Sequence, residues 1–302
     1  MRVILFDVDH GFCAFILTPT GHTILIDCGK ATNFSPTEYL IKSGFQPPLT
    51  KLIVSHPHDD HVEDYPRVAS RLNPTMLLTQ NLNWKLIKTN SGGTHETLDA
   101  FVSGKDARFS GWVPDPYYGL TLQSFMLEPN RAQQISLSIN AAVNNCSIVS
   151  VVSFKGTEYS PKFLFGGDME EAGWEELLAT NREFRNAVSG TWFYFVSHHG
   201  HSSGFSTKLY DAMGKPALNL ISVRHNDESR DGRYSADDFS NGWPLGGEKR
   251  KMLSTTCDGS IFIDVDQTGL PNVYTRFLPD NLEPPKPMPR SSLFPPPNRI
   301  GW

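Results

Sequence analysis

An apolar strand that runs straight into a knot of metal-ligand side chains constrains this chain more than any other feature. Lys51-Leu52-Ile53-Val54-Ser55 reads as a buried strand, and it ends at His56-Pro57-His58-Asp59-Asp60-His61. His56 and His58 sit two apart in an extended turn, so both imidazoles can point the same way. Asp60 and His61 face a neighbouring point as the chain enters the next helix. Imidazole and carboxylate together suit zinc, iron or manganese, and two such sets hold two ions. The plainer reading is a polar loop that happens to carry histidines. Four ligand-type residues in six positions at a strand end weigh against it.

Two further strands end the same way. Phe163-Leu164-Phe165-Gly166-Gly167-Asp168 delivers a carboxylate after two glycines that allow close backbone approach. Placed between two ions, Asp168 would bridge them at the roughly 3.5–4 Å separation of two-metal sites. Phe195-Val196-Ser197-His198-His199-Gly200-His201 offers paired histidines. Read as a continuing strand, His198 and His199 point to opposite faces, so only one of them ligates a given ion. His199 is favoured because a glycine follows it; His198 then faces substrate or supports a ligand. His201 reads either as a general acid or as a solvated loop histidine.

Around these motifs the chain of 302 residues, 39% of them hydrophobic, is long enough for one large core. Short strands are expected at 2–8, 13–18, 23–27, 51–55, 76–78, 120–127, 147–154, 162–166, 192–197, 217–223, 260–265 and 272–276. Helices are expected at 62–72, 170–179 and 206–213. This interleaving predicts a layered α/β fold with mixed sheets. A domain over 1–278 carries an irregular insertion at about 80–119. A Pro-rich tail over 279–302 reads as an extended strap or a disordered segment, with docking to a protein partner as one use for it.

No run of about 18 apolar residues appears, so no membrane span is expected. The N-terminal apolar run is too short for a signal peptide. Four scattered cysteines without a CxxC pair fit a reduced, cytoplasmic protein with buried thiols. A net charge of −5 argues against a strongly electrostatic grip on nucleic acid, although bound cations would alter the local field. Lys249-Arg250-Lys251 reads as solvated surface. Trp84, Phe101, Phe109, Trp112, Tyr117 and Tyr118 read as packing residues or, in the alternative, as a base-stacking platform.

Taken together, these motifs resemble the metallo-β-lactamase superfamily, and within it the branch of ComEC-type competence hydrolase domains and phosphorylcholine esterases. The likeness runs from about residue 2 to 276. It also covers Phe6-Asp7-Val8 with Gly11, Thr23 to Gly29, Asn144-Asn145-Cys146-Ser147 and Thr256-Cys257-Asp258-Gly259. It implies a four-layer αββα sandwich with two divalent ions, zinc or manganese, on one edge. His56 and His58 would hold one ion, Asp60 and His61 the other, with Asp168 bridging and His199 or His198 completing the second. Asp27 and Asn145 would support those ligands from behind. The chain departs from the pattern at Asn144-Asn145, where many members carry a further histidine, at Phe12, and at His201.

The chemistry so implied is hydrolysis, with the ions activating a shared water that Asp60 or Asp168 orients or deprotonates. A phosphodiester in a nucleotide or nucleic acid is the expected substrate. The alternatives are another ester or lactone, or a metal-stabilised interaction module of a larger system.

Overall fold

The computed structural model describes residues 1–82, 96–108, 119–224 and 230–278. Two mixed sheets dominate. The first runs in spatial order β15 (Pro271–Arg276), β14 (Ser260–Val265), β1 (Arg2–Leu5), β2 (Ala14–Leu17), β3 (Thr23–Ile26), β4 (Lys51–Ile53) and β5 (Met76–Leu78). The second runs β13 (Met252–Ser254), β10 (Leu218–Ile221), β9 (Phe193–Phe195), β8 (Lys162–Phe165), β7 (Val149–Phe154) and β6 (Leu120–Phe125). A separate hairpin, β11 (Trp243–Leu245) with β12 (Glu248–Arg250), carries the cationic run. Two of its charges are partnered: Arg250 meets Asp258, and Lys251 just beyond the hairpin strand meets Asp237.

Side-chain alternation explains the layering. Val3, Leu5, Ile16, Ile24 and Ile26 of the first sheet share one apolar cluster with Val152, Phe163, Phe165, Phe193 and Leu218 of the second. Their neighbours in sequence point the other way. Ile4, Phe15 and Leu25 join Tyr39, Leu40 and Val68, whereas Val151, Leu164 and Tyr194 join Trp174, Leu177 and Leu209. Helices therefore cover both outer faces, and the architecture is a four-layer αββα sandwich.

Several helices go beyond the expected set. Pro36–Lys42, Pro129–Ile135, Ile139–Asn144 and Arg182–Val188 are six or seven residues long. So few turns leave little periodicity to read. The first does carry an N-terminal signature: the Ser35 hydroxyl accepts the Glu38 N–H, with Pro36 at the first helical position.

The helix expected over 62–72 is broken into Asp59–Val62, Tyr65–Arg67 and a wider turn at Val68–Leu72. The Asp60 carbonyl accepts from Phe12 N–H at 3.2 Å, and Asp64 N–H donates to Cys28 at 2.7 Å. The i→i−4 bond between positions 64 and 60 is thereby diverted to two neighbouring loops. This pins the ligand turn to the strands beside it.

Part of the insertion is a packed helix, Glu96–Arg108, whose Phe101 is fully buried edge-on against Tyr65 at 5.0 Å. Phe101 is thus core rather than a stacking surface. Trp84, Phe109, Trp112, Tyr117 and Tyr118, and the Pro-rich tail over 279–302, lie outside the described residues. Cys13, Cys28 and Cys146 are buried as expected, but Cys257 is exposed in the short turn after β13. No helix among the described residues is long and apolar enough to cross a membrane.

Candidate metal centre

Parallel pairing sets the location. β3 with β4 in the first sheet, and β8, β9 and β10 in the second, run parallel, so their C-terminal ends share an edge. Crevices outside the carboxyl ends of parallel strands are where α/β folds place ligands. Asp27 follows β3, the His56–His61 turn follows β4, Asp168 follows β8, His198 and His199 follow β9, and Arg224 follows β10.

Six residues from both sheets converge there into two donor sets that share Asp168. His56, His58 and Asp168 form one; Asp60, His61, Asp168 and His199 form the other. In the first, His56 Nε2 lies 3.0 Å from His58 Nδ1 and 3.7 Å from Asp168 Oδ2. In the second, His61 Nε2 lies 3.2 Å from Asp168 Oδ1, 3.3 Å from His199 Nε2 and 3.7 Å from Asp60 Oδ2. His199 Nε2 lies 3.1 Å from Asp60 Oδ2 and 3.5 Å from Asp168 Oδ2. Donors at roughly 2.0–2.1 Å from a common tetrahedral ion stand about 3.3 Å apart, so both sets fit a divalent cation.

The surrounding hydrogen bonds aim the rings. Asp27 is fully buried; its Oδ1 accepts Ser55 N–H at 2.6 Å, and its Oδ2 accepts the Ser55 hydroxyl at 2.7 Å. The same Oδ2 accepts His61 Nδ1–H at 2.8 Å. In the neutral ring, His61 therefore turns an unprotonated Nε2 to the centre, a tautomer assigned from its partner. The Ser55 hydroxyl, its proton committed to Asp27, is 3.2 Å from His56 Nδ1 and can only accept from it. His199 Nδ1 donates to the Ser222 carbonyl at 3.1 Å. The Ser147 hydroxyl receives Asp168 N–H at 2.9 Å.

Electrostatics agree with a site built for cations. Burial lowers the basicity of His56 and His58, which stay neutral and ligand-ready. Burial works against His61 and His199 too, but the carboxylates of Asp168 and Asp60, joined by Asp27 at His61, overcome it and raise both rings. Burial opposes ionisation of Asp60 and Asp168, and the neighbouring imidazoles nonetheless hold both below the usual carboxylate range. Three buried or half-buried carboxylates within one histidine cluster demand positive charge.

His198 lies outside both donor sets. Its Nδ1 meets the Ser203 hydroxyl at 2.8 Å, and Glu170 stands 3.7 Å away. The strand reasoning that separated the two histidines needs correcting. β9 ends at Phe195, and His198 and His199 both adopt left-handed backbone, with φ of 51° and 50°. Such conformations cost roughly 1–2 kcal/mol per residue outside glycine. Asp27, with φ of 56°, is a third instance at the same centre. Asn145 contacts no member of either set among its hydrogen bonds; it joins Ser136 to the Glu170 backbone at 2.8 and 3.0 Å. It steadies the chain two residues beyond Asp168.

A cavity of about 600 Å³ opens over the centre, lined by residues that include Asp60, Asn140, Asn144, His198, His201 and Arg224. Sequence reasoning passed over Asn140, Asn144 and Arg224 as site residues, and also His10, whose ring lies tilted against His199 at 4.6 Å. Asn140 and Asn144 stand four apart on one helix face, and Arg224 follows a strand end, so both signals were present.

No protein-family model and no curated protein matches this chain. Solved structures overlap it partially. A protein from Parabacteroides distasonis described as a metal-dependent hydrolase aligns at 10% identity and TM-score 0.44, over 84% of this chain and 92% of its own. Igni18, a metallo hydrolase from Ignicoccus hospitalis, aligns at 13% identity and TM-score 0.43, over 76% and 87%. CmlA, a diiron β-hydroxylase from Streptomyces venezuelae, aligns at 14% identity and TM-score 0.43; 74% of this chain spans only 44% of CmlA.

Proposed function

We propose that this chain is a dinuclear metal-dependent hydrolase that cleaves a phosphodiester in a nucleotide or nucleic acid. The observation that carries the proposal is that two donor sets share Asp168 at the floor of an open cavity. His56 and His58 would hold one ion, Asp60, His61 and His199 the other, and Asp168 both. Zinc and manganese both suit this mixture of imidazole and carboxylate. When bound, the ions supply Lewis acidity for a phosphoryl oxygen and acidify water near neutral pH.

The chain's own groups divide the remaining work. Asp60 has 27% of its side chain exposed against 5% for Asp168. Asp60 is the carboxylate an incoming water can reach, and it would orient that water or take its proton. His201 Nδ1 accepts Ser203 N–H at 3.1 Å, so in the neutral ring the proton lies on Nε2. On the cavity wall, that N–H can donate to the leaving oxygen. Arg224 at the rim offers a cation to an anionic substrate. The cavity volume suits a small ligand or a single nucleotide unit. Its opening to solvent weighs against a sealed, purely structural metal role.

The test is hydrolysis of bis-(p-nitrophenyl) phosphate with added manganese or zinc, comparing the unaltered protein with Asp60→Ala and His61→Ala. Metal-dependent turnover that disappears in both variants supports the proposal. No turnover in any metal, with two ions bound by elemental analysis, overturns the phosphodiesterase assignment in favour of another ester class.

A further inference from the structure

The two donor sets are unequal. The second offers four protein residues, and the first only three. Beside them, Asn144 Oδ1 is a buried acceptor with no hydrogen-bond partner. Its amide orientation is fixed, because Nδ2 donates to Glu170 Oε1 at 2.9 Å, which turns Oδ1 the other way. Asn144 is 5% exposed, comparable to the 1% of His56 and 6% of His199. It lines the same cavity as His58 and Asp168.

A buried carbonyl oxygen left unsatisfied costs roughly 1–3 kcal/mol, so native proteins rarely leave one without a water, a cation or a ligand. Thr37, Ser43 and Tyr234 also hold unpartnered buried oxygens, but none of them lines the cavity. Asn144 therefore combines three properties: an orphaned acceptor, a fixed orientation, and a place in the wall of the centre.

We propose that Asn144 Oδ1 supplies the fourth protein donor to the ion held by His56, His58 and Asp168. The inference rests on the two-ion reading given above. It adds that this ion sees two imidazoles and two oxygens. An amide oxygen is a harder donor than imidazole and favours manganese relative to zinc at this position.

The experiment is a manganese and zinc titration of the metal-stripped protein, with manganese electron paramagnetic resonance as a second readout. The unaltered protein should bind two manganese ions and show the spectrum of a coupled pair. Asn144→Leu, equal in heavy-atom count and branching but without a donor, should weaken one of the two steps by at least roughly tenfold, leaving the signal of isolated ions at one equivalent. Asn144→His should restore the second step and shift its preference toward zinc; it also serves as the informative variant where Asn144→Leu does not fold. Two manganese ions bound by Asn144→Leu with unchanged affinity and coupling would overturn the proposal, as would an Asn144→His variant with unaltered metal preference. Fewer than two ions in the unaltered protein would instead defeat the two-ion reading itself.

Discussion

Asp27→Asn isolates how the buried carboxylate aims His61. Asparagine tolerates the left-handed backbone at this position, so the substitution adds little strain, whereas alanine would bring the roughly 1–2 kcal/mol cost of that conformation. The amide cannot serve all three donors now held by the carboxylate. If its nitrogen faces Ser55 N–H, two donors oppose each other in a buried site, at a cost of roughly 1–3 kcal/mol. The better orientation keeps the oxygen on Ser55 N–H and turns the amide N–H toward His61 Nδ1. His61 then becomes the acceptor at Nδ1 and carries its proton on Nε2, the atom 3.2 Å from Asp168 and 3.3 Å from His199. A proton now stands where a cation would bind.

Loss of such a supporting bond lowers metal affinity about 10–100-fold, or roughly 1.4–2.7 kcal/mol. The assay is competition with a chromophoric chelator, run beside a thermal melt of the stripped protein. Asp27→Asn with two ions bound at undiminished affinity would refute the tautomer argument.

Two other outcomes follow from the same structure. A Cβ on Gly29 would stand 2.3 Å from the Asp60 carbonyl and 2.7 Å from Phe12 N, both backbone atoms. Gly29→Ala should therefore destabilise the fold by about 1–3 kcal/mol and weaken metal binding with it; a melt and titration matching the unaltered protein would contradict that packing. Burial pushes Tyr194 up to about 12 and raises Tyr210 and Tyr234 beside it. Each folded-state phenol keeps its proton longer than the unfolded one, so its contribution is complete below about pH 10 and is lost as pH rises toward 12. For Tyr194 the loss is roughly 2–3 kcal/mol. Denaturant midpoints should fall over that window while tyrosinate absorbance of these rings appears only on unfolding. Tyrosinate absorbance that rises fully before unfolding would be inconsistent with their burial.

The layered α/β architecture and the convergence of His56, His58, Asp60, His61, Asp168 and His199 were legible because each lies at or just past the end of an apolar strand. Strand ends are local signals, and parallel pairing brings them to one edge. What stayed hidden depends on partners distant in sequence. The break in the helix after His61 follows from Phe12 taking the Asp60 carbonyl, a contact across 48 positions that no local pattern encodes. The left-handed pair at His198 and His199 likewise belongs to a loop tied down by Trp174, Ser197 and Gly204. Asn144 was noticed as a departure at a histidine position, but its orphaned oxygen emerges only once Glu170 has claimed its amide nitrogen.

The centre draws His56, His58, Asp60 and His61 from the first sheet and Asp168 and His199 from the second. Neither sheet carries a complete set. A cation bound there is a rivet through the seam, and the halves of the sandwich cannot part without releasing it. Ion occupancy and sheet docking thus become one equilibrium, in which the free energy of coordination is also free energy of assembly. Apolar positions outside the cavity lining, such as the Phe163–Phe193 stack on the inner face of the second sheet, then influence metal retention without touching an ion.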